Sequence, residues 1–188
     1  MDLRIESGVM RIKQRIAITG RPGVGKTTLI EQVLQEIMPH AGGILGKEIL
    51  TCGHRVGFAL IDIATGEQGI LAHIHQRTGP KIGKYTVNLK TLEELAVPAI
   101  ARAIRDKELV VIDEFAPMEL CSPQFVPVVQ QALASERSLL IATHATLDHP
   151  LVHEIRQTLD LVRVKLSNRD ALAEKLAARF RTPNEPLD

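Results

Sequence analysis

At 188 residues, with 45% hydrophobic and 24% charged side chains, the chain has the size of one ordinary domain and the composition of a soluble globular protein. Its 23 basic and 22 acidic residues are interspersed and sum to +1, which argues against the one-sided basic face of a tight nucleic-acid binder. Cys52 and Cys121 lie too far apart for a zinc motif or a disulfide framework, and no apolar run nears the roughly 20 residues of a bilayer span, so a reduced, cytoplasmic protein is expected.

Ile12 to Thr19 alternates apolar and polar residues and is predicted as a strand; after a glycine-rich turn, Thr27 to Met38 has helical spacing through Ile30, Val33, Leu34 and Ile37. Between 42 and 75 the pattern shifts to short β-branched runs. Arg55 to Ile63 and Gly69 to Ile74, split by Gly66-Glu67-Gln68-Gly69, predict an antiparallel hairpin. Gln76 to Gly83 reads as a mobile loop, and Leu89 to Arg105 as a helix with a kink at Pro98. The continuous apolar run Leu109 to Ile112 predicts a strand buried on both faces. Then follow a helix over Gln124 to Ser135, a buried strand over Ser138 to Thr143, a short helix over Pro150 to Gln157 and a strand over Leu161 to Leu166. Ser167 or Asn168 is expected to cap a last helix carrying Leu172, Leu176 and Phe180. Alternating strands and helices imply an α/β fold: a mostly parallel sheet flanked by helices, with antiparallel strands added by the 42–87 region. One domain over 1–188 is expected, with 182–188 as a flexible tail.

Gly20-Arg21-Pro22-Gly23-Val24-Gly25-Lys26-Thr27 matches G-x-x-x-x-G-K-[ST] and sits between a predicted strand and a predicted helix, the context a phosphate loop requires. Its glycines let the amides from Gly23 to Thr28 converge where the helix N-terminus adds partial positive charge. Lys26 is expected to reach the β- and γ-phosphates and Thr27 to ligate Mg²⁺. Lys26 should be solvated in the empty loop, so that its loss removes catalysis without unfolding the domain.

Asp113 and Glu114 end the buried strand at 109–112, the usual place of a Walker B acid. Asp113 is the expected metal-holding carboxylate and Glu114 the base that polarises attacking water. Thr143 and His144 end the next buried strand, where His144 is a candidate to sense the γ-phosphate or orient water. His73 with His75 and His149 with His153 have spacings that metals also use, but no third ligand follows, so solvated histidines are expected. No spacing nominates an arginine finger among Arg21, Arg77 and Arg169, or a cation in its place at Lys81.

Several segments resemble the small nucleoside-triphosphatases of thermophilic bacteria and archaea and their human cancer-related relative. They are Ile18 to Thr28, Arg55-Val56-Gly57-Phe58, Gly83-Lys84-Tyr85-Thr86-Val87, Val111 to Glu114 continuing into Pro117-Met118-Glu119-Leu120, and Asn168-Arg169-Asp170. The resemblance implies a P-loop NTPase of the RecA-like type. It also implies Mg²⁺-dependent hydrolysis of ATP, GTP and the pyrimidine triphosphates with little base selectivity, and the glutamate beside the Walker B aspartate as base. Three departures stand out. Gly46-Lys47-Glu48-Ile49-Leu50 replaces Thr-x-Glu-x-Arg, Phe115-Ala116 follows Asp113-Glu114 where a glycine usually comes second, and His144-Ala145 replaces His-Arg. Two family arginines are thus absent, which points to slow turnover. The expected ligands are nucleoside triphosphates, with no membrane and no tight nucleic-acid partner, and a monomer is expected. A nucleotide-dependent switch with little turnover and a nucleotide or nucleoside kinase are the alternative readings.

Overall fold

The computed structural model describes residues 13–37 and 40–181; the expected tail at 182–188, the first strand's start at Ile12 and the first helix's end at Met38 lie outside them. In chain order the elements are β1 (Arg15–Gly20), α1 (Lys26–Ile37), β2 (Ala41–Thr51), β3 (His54–Asp62), β4 (Gln68–His73), β5 (Lys81–Ile82), β6 (Tyr85–Val87) and α2 (Leu89–Thr91). A π-turn (Leu92–Ala96), α3 (Val97–Asp106), β7 (Leu109–Phe115), a 3₁₀ turn (Glu119–Cys121), α4 (Phe125–Ala134), β8 (Ser138–His144), α5 (Pro150–Thr158), β9 (Asp160–Arg163) and α6 (Arg169–Arg181) complete it.

The strands form one nine-stranded sheet in the order β5-β6-β4-β3-β2-β7-β8-β1-β9. From β2 through β9 the pairings are parallel, as helical crossovers require; from β2 through β5 they are antiparallel. β2 is the seam. Its first residues, Ala41 to Ile44, pair parallel with Leu109 to Ile112, and from Ile44 onward it pairs antiparallel with β3. Sequence reading assigned no strand to 41–51, because Gly42, Gly43 and Gly46 interrupt the β-branched pattern that marks strands. One of these glycines is demanded by its neighbour, since a Cβ on Gly43, whose φ is +112°, would lie 2.0 Å from the Val111 carbonyl oxygen; one on Gly46 would be a tight 3.2 Å from that of Asp113.

The central strands are apolar on both faces, and their period of two splits them between two cores. Val110, Ile112, Leu139 and Ile141 point into a core closed by α3, α4 and α5. Leu109, Val111, Leu140, Ala142, Ile16 and Ile18 point into the other, closed by Leu29, Ile30, Val33 and Leu34 of α1 and Leu176 of α6. Arg15 joins layers from the sheet's lower edge, donating to the Leu133 carbonyl at 2.6 Å and the Ser135 carbonyl at 2.8 Å, where α4 leaves its last carbonyls unpaired.

The expected helix at 89–105 is present, but its irregularity precedes Pro98: the π-turn at 92–96 widens the helix before the residue that has no N–H to donate. The expected loop at 76–83 contains the short β5. The hairpin turn after β3 is organised by the buried Asp62, which accepts from the Ala64 amide at 2.9 Å and the Thr65 hydroxyl at 2.7 Å and pairs with Arg102. Asn168 does not cap α6 through its side chain. Its Oδ1 accepts from the Lys165 amide at 2.7 Å and its Nδ2 donates to the Arg163 carbonyl at 3.1 Å, closing the β9–α6 loop on itself.

Candidate active site

β1, β8 and β7 are adjacent, so their C-terminal tips open at one edge: Gly20 pairs with His144, and Thr143 lies beside both Thr19 and Phe115. This edge carries the glycine loop, the acidic pair and the histidine, as expected for ligand sites on parallel sheets.

The loop from Arg21 to Gly25 turns tightly because Gly23 and Gly25 adopt φ of +75° and +97°. The Val24 amide donates to the Arg21 carbonyl at 3.2 Å, and the first helical bond runs from the Leu29 amide to the Gly25 carbonyl at 3.0 Å. The amides of Gly23, Gly25, Lys26, Thr27 and Thr28 have no backbone acceptor among the described residues, which is what an anion cradle at a helix N-terminus requires. Val24 contributes its side chain to the fold rather than its amide to the cradle. Arg21, Pro22, Gly23 and Thr28 are exposed, and Thr27 is half-buried.

Lys26 is not solvated, contrary to the sequence-based expectation. It is 6% exposed, and its Nζ donates to the Gly20 carbonyl at 3.3 Å and lies 3.5 Å from Glu114 Oε1. The loop folds the lysine back over its own first residue, because a buried ammonium needs both an acceptor and a counter-charge. Removing it would therefore also strip Glu114 of its partner.

Asp113 is buried at 2% exposure; its Oδ2 accepts from the Gly46 amide at 3.3 Å, while its Oδ1 has no hydrogen-bond partner among the described residues. Burial pushes its carboxyl up to about 6, against the downward pull of the Thr27 side chain, the Gly46 amide and Lys26. Asp113 thus feels both the Thr27 side chain and the Lys26 charge of the loop, as a shared magnesium-bound phosphate would need. Glu114, one residue on, is a quarter exposed and can meet water.

Three residues of this neighbourhood were not assigned from sequence. Gly46 stands where the resembled family carries threonine, and it backs Asp113 directly. Glu119, in the 3₁₀ turn after β7, is 3% exposed, and burial, reinforced by the charges of Glu114 and Asp113, pushes its carboxyl up to about 8. No local spacing marks such a group, since its burial is made by tertiary packing. Arg169 was one of several arginines without a nomination; its side chain lies across the loop, with Cδ 2.5 Å and Nη1 2.7 Å from where a Cβ on Gly25 would stand.

His144 sits at the β8 tip as expected, half-buried, with Nδ1 accepting from the Thr146 amide at 3.4 Å. Arg156 of α5 holds that tip, donating to the His144 and Ala145 carbonyls at 3.0 Å each. Lys81 begins β5, the edge strand seven places from β1 in the sheet, and Arg77 lies in the loop that leads to it. The other histidines serve local structure. His73 Nδ1 accepts from the His75 amide at 3.1 Å, His149 Nδ1 accepts from the Leu151 amide at 3.1 Å to cap α5, and His153 pairs with Asp148 at 2.7 Å.

The residues present fit a divalent ion of the Mg²⁺ kind. A buried carboxylate oxygen without a hydrogen-bond partner beside a threonine at a helix N-terminus supplies the one or two hard oxygen ligands such an ion takes from protein when phosphates and water complete its shell.

Among known proteins, a family model described as NTPase matches residues 15–177. The chain is 42% identical over 170 residues to the nucleoside-triphosphatase THEP1 of Methanosarcina acetivorans, covering 88% of this chain and 96% of that one. It is 41% identical over 164 residues to the nucleoside-triphosphatase THEP1 of Thermotoga maritima, covering 86% and 92%. The fold is similar to the crystal structure of THEP1 from Aquifex aeolicus, with a TM-score of 0.78, 34% identity and coverage of 87% and 96%. It is also similar to the solution structure of a human cancer-related nucleoside triphosphatase, with a TM-score of 0.73, 27% identity and coverage of 92% and 100%.

Proposed function

The chain belongs to the NTPase family whose model spans residues 15–177, and on that premise we propose that it hydrolyses nucleoside triphosphates, ATP and GTP among them, to diphosphate and phosphate. The observation that carries this reading is the Lys26 ammonium held between the Gly20 carbonyl, 3.3 Å away, and the Glu114 carboxylate, 3.5 Å away. One cation thereby links the loop that takes phosphate to the group that takes a proton from water.

Gly20, Arg21, Pro22, Gly23, Val24 and Gly25 shape the cradle, and the amides of Gly23, Gly25, Lys26, Thr27 and Thr28 receive the phosphates. Thr27 and Asp113 would hold Mg²⁺, which would supply positive charge to neutralise the phosphates and polarise the bond to be broken. Phosphate draws Lys26 away from Glu114, because a polyanion outcompetes one carboxylate for the ammonium. Glu114, a quarter exposed and freed of its counter-charge, then accepts the proton of the attacking water. The ring of His144, at the strand tip beside Gly20, retains Nε2 to orient that water or the γ-phosphate.

Phosphate release measured across ATP, GTP, CTP and UTP, with and without RNA or DNA, tests activity and base preference together. Glu114→Gln should lower release by about 10²-fold or more while nucleotide binding persists. Binding without release above background in the unmodified chain would leave a nucleotide switch instead, and label from ATP arriving on an acceptor other than water would make it a kinase. A monomer in the cytoplasm without a tight nucleic-acid ligand belongs to the same proposal; the net charge of +1 supports the last point. No helix among the described residues is long and apolar enough to cross a membrane.

A further inference from the structure

The acids and the loop fix the direction in which a nucleotide must lie. Asp113 and Glu114 are on β7, to one side of β1, whereas β9 and the start of α6 are on the other. A triphosphate whose terminal phosphate faces Glu114 and whose middle phosphate lies in the cradle must run its ribose and base toward the β9–α6 loop.

That loop is built onto the phosphate loop. The Val164 amide donates to the Thr19 carbonyl at 2.8 Å, and the Val164 carbonyl oxygen is 2.8 Å from where a Cβ on Gly20 would stand. Asn168 uses Oδ1 on the Lys165 amide and Nδ2 on the Arg163 carbonyl, so it rigidifies the segment. Arg169 then crosses Gly25, so close that any side chain at 25 would collide with it. Its Nε is 3.1 Å from Asp170 Oδ1, which orients the guanidinium plane, and the side chain keeps 30% of its surface exposed.

We infer that Arg169 forms one wall of the nucleobase site, its guanidinium stacking on the face of the base carried by a nucleotide whose phosphates occupy the loop. This rests on the phosphate-loop reading and adds to it the part of the ligand that distinguishes a nucleotide from inorganic polyphosphate. Stacking by a planar cation accepts any π-face and favours the larger purines, so this wall discriminates weakly among bases.

The test compares magnesium complexes of ADP, CDP and inorganic pyrophosphate by calorimetric titration of the full chain. Arg169→Ala should weaken ADP by about tenfold and CDP by less, and leave pyrophosphate within about twofold. Arg169→Lys, which keeps the charge and loses the plane, should behave like Arg169→Ala toward ADP. Thermal melts check that both variants fold; should Arg169→Ala not fold, the lysine variant alone carries the comparison. Equal losses for ADP and pyrophosphate would make Arg169 a phosphate ligand, and no loss for ADP would remove it from the site; either result overturns the inference while leaving the phosphate loop intact. Wild-type protein that binds neither ADP nor pyrophosphate would overturn both.

Discussion

Glu119 shows how one side chain ties the site to the stability of the chain. Burial holds its carboxyl at about 8, against an ordinary value of 4.5 when unfolded. Between those values the folded protein keeps a proton that the unfolded chain has released. Stability is therefore fully present below about 4.5 and falls as pH rises, by on the order of 1 kcal/mol per unit at most, until it levels near 8. Glu119→Gln supplies a neutral group that cannot ionise, so its melting temperature should gain on the wild type as pH is raised from 5 to 8. Parallel melting curves across that range would mean that Glu119 is charged in the folded state. The same logic explains why the residue was illegible: Asp113 and Glu114 were readable because an apolar run stopped at them, while Glu119 follows Pro117 and Met118 in a segment with no periodicity. Lys26 was readable as a residue and misread in its surroundings, since the sequence contains no sign that Glu114 would cover it.

At the level of elements, those with a continuous apolar run or a motif were recovered within a few residues: β1, α1, β7, β8 and α4. β2 was not, and its glycines show why propensity fails there. Gly43 pairs with Val111 in the parallel seam, at φ of +112° and with no room for a methyl group. Gly43→Ala should therefore cost roughly 2–5 kcal/mol, combining left-handed backbone strain with collision against a neighbouring strand. Gly66, at φ of +75° in the hairpin turn with open space around it, makes the control; alanine there should cost only about 1–2 kcal/mol. Urea midpoints of the two variants check this, and similar losses would mean that β2 can slide away from β7. The segments that resemble the family also converge here. Arg55 pairs with Glu48 at 2.6 Å, donates to the Tyr85 hydroxyl at 3.3 Å and lies over the Phe58 ring at 5.1 Å, so the antiparallel extension is held by residues from three separate stretches.

On the scale of the whole molecule, ligand and fold are linked by mass action, because the cradle, the acids and Thr27 are assembled only in the native sheet. Magnesium-ADP at about 100 times its dissociation constant should stabilise the protein by about 2.7 kcal/mol, seen as a rise in melting temperature. Removing Mg²⁺ with chelator should reduce that rise, as should Thr27→Ala; an unchanged rise in either case would count against Thr27 and Asp113 as metal ligands. The topology was readable as a class, since strands alternating with helices imply parallel pairing, but not as an order. That β1 lies between β8 and β9 is decided by contacts between residues more than a hundred positions apart. This order has a consequence during synthesis. β1 is translated well before its two neighbours in the sheet, β8 and β9, which come at 138–144 and 160–163. At about 5–20 residues per second, Gly20 waits roughly 6–25 seconds for His144 to be translated. For that interval the glycine loop has a motif and no walls, so a nascent chain carries the signature of a nucleotide site well before it can hold a nucleotide.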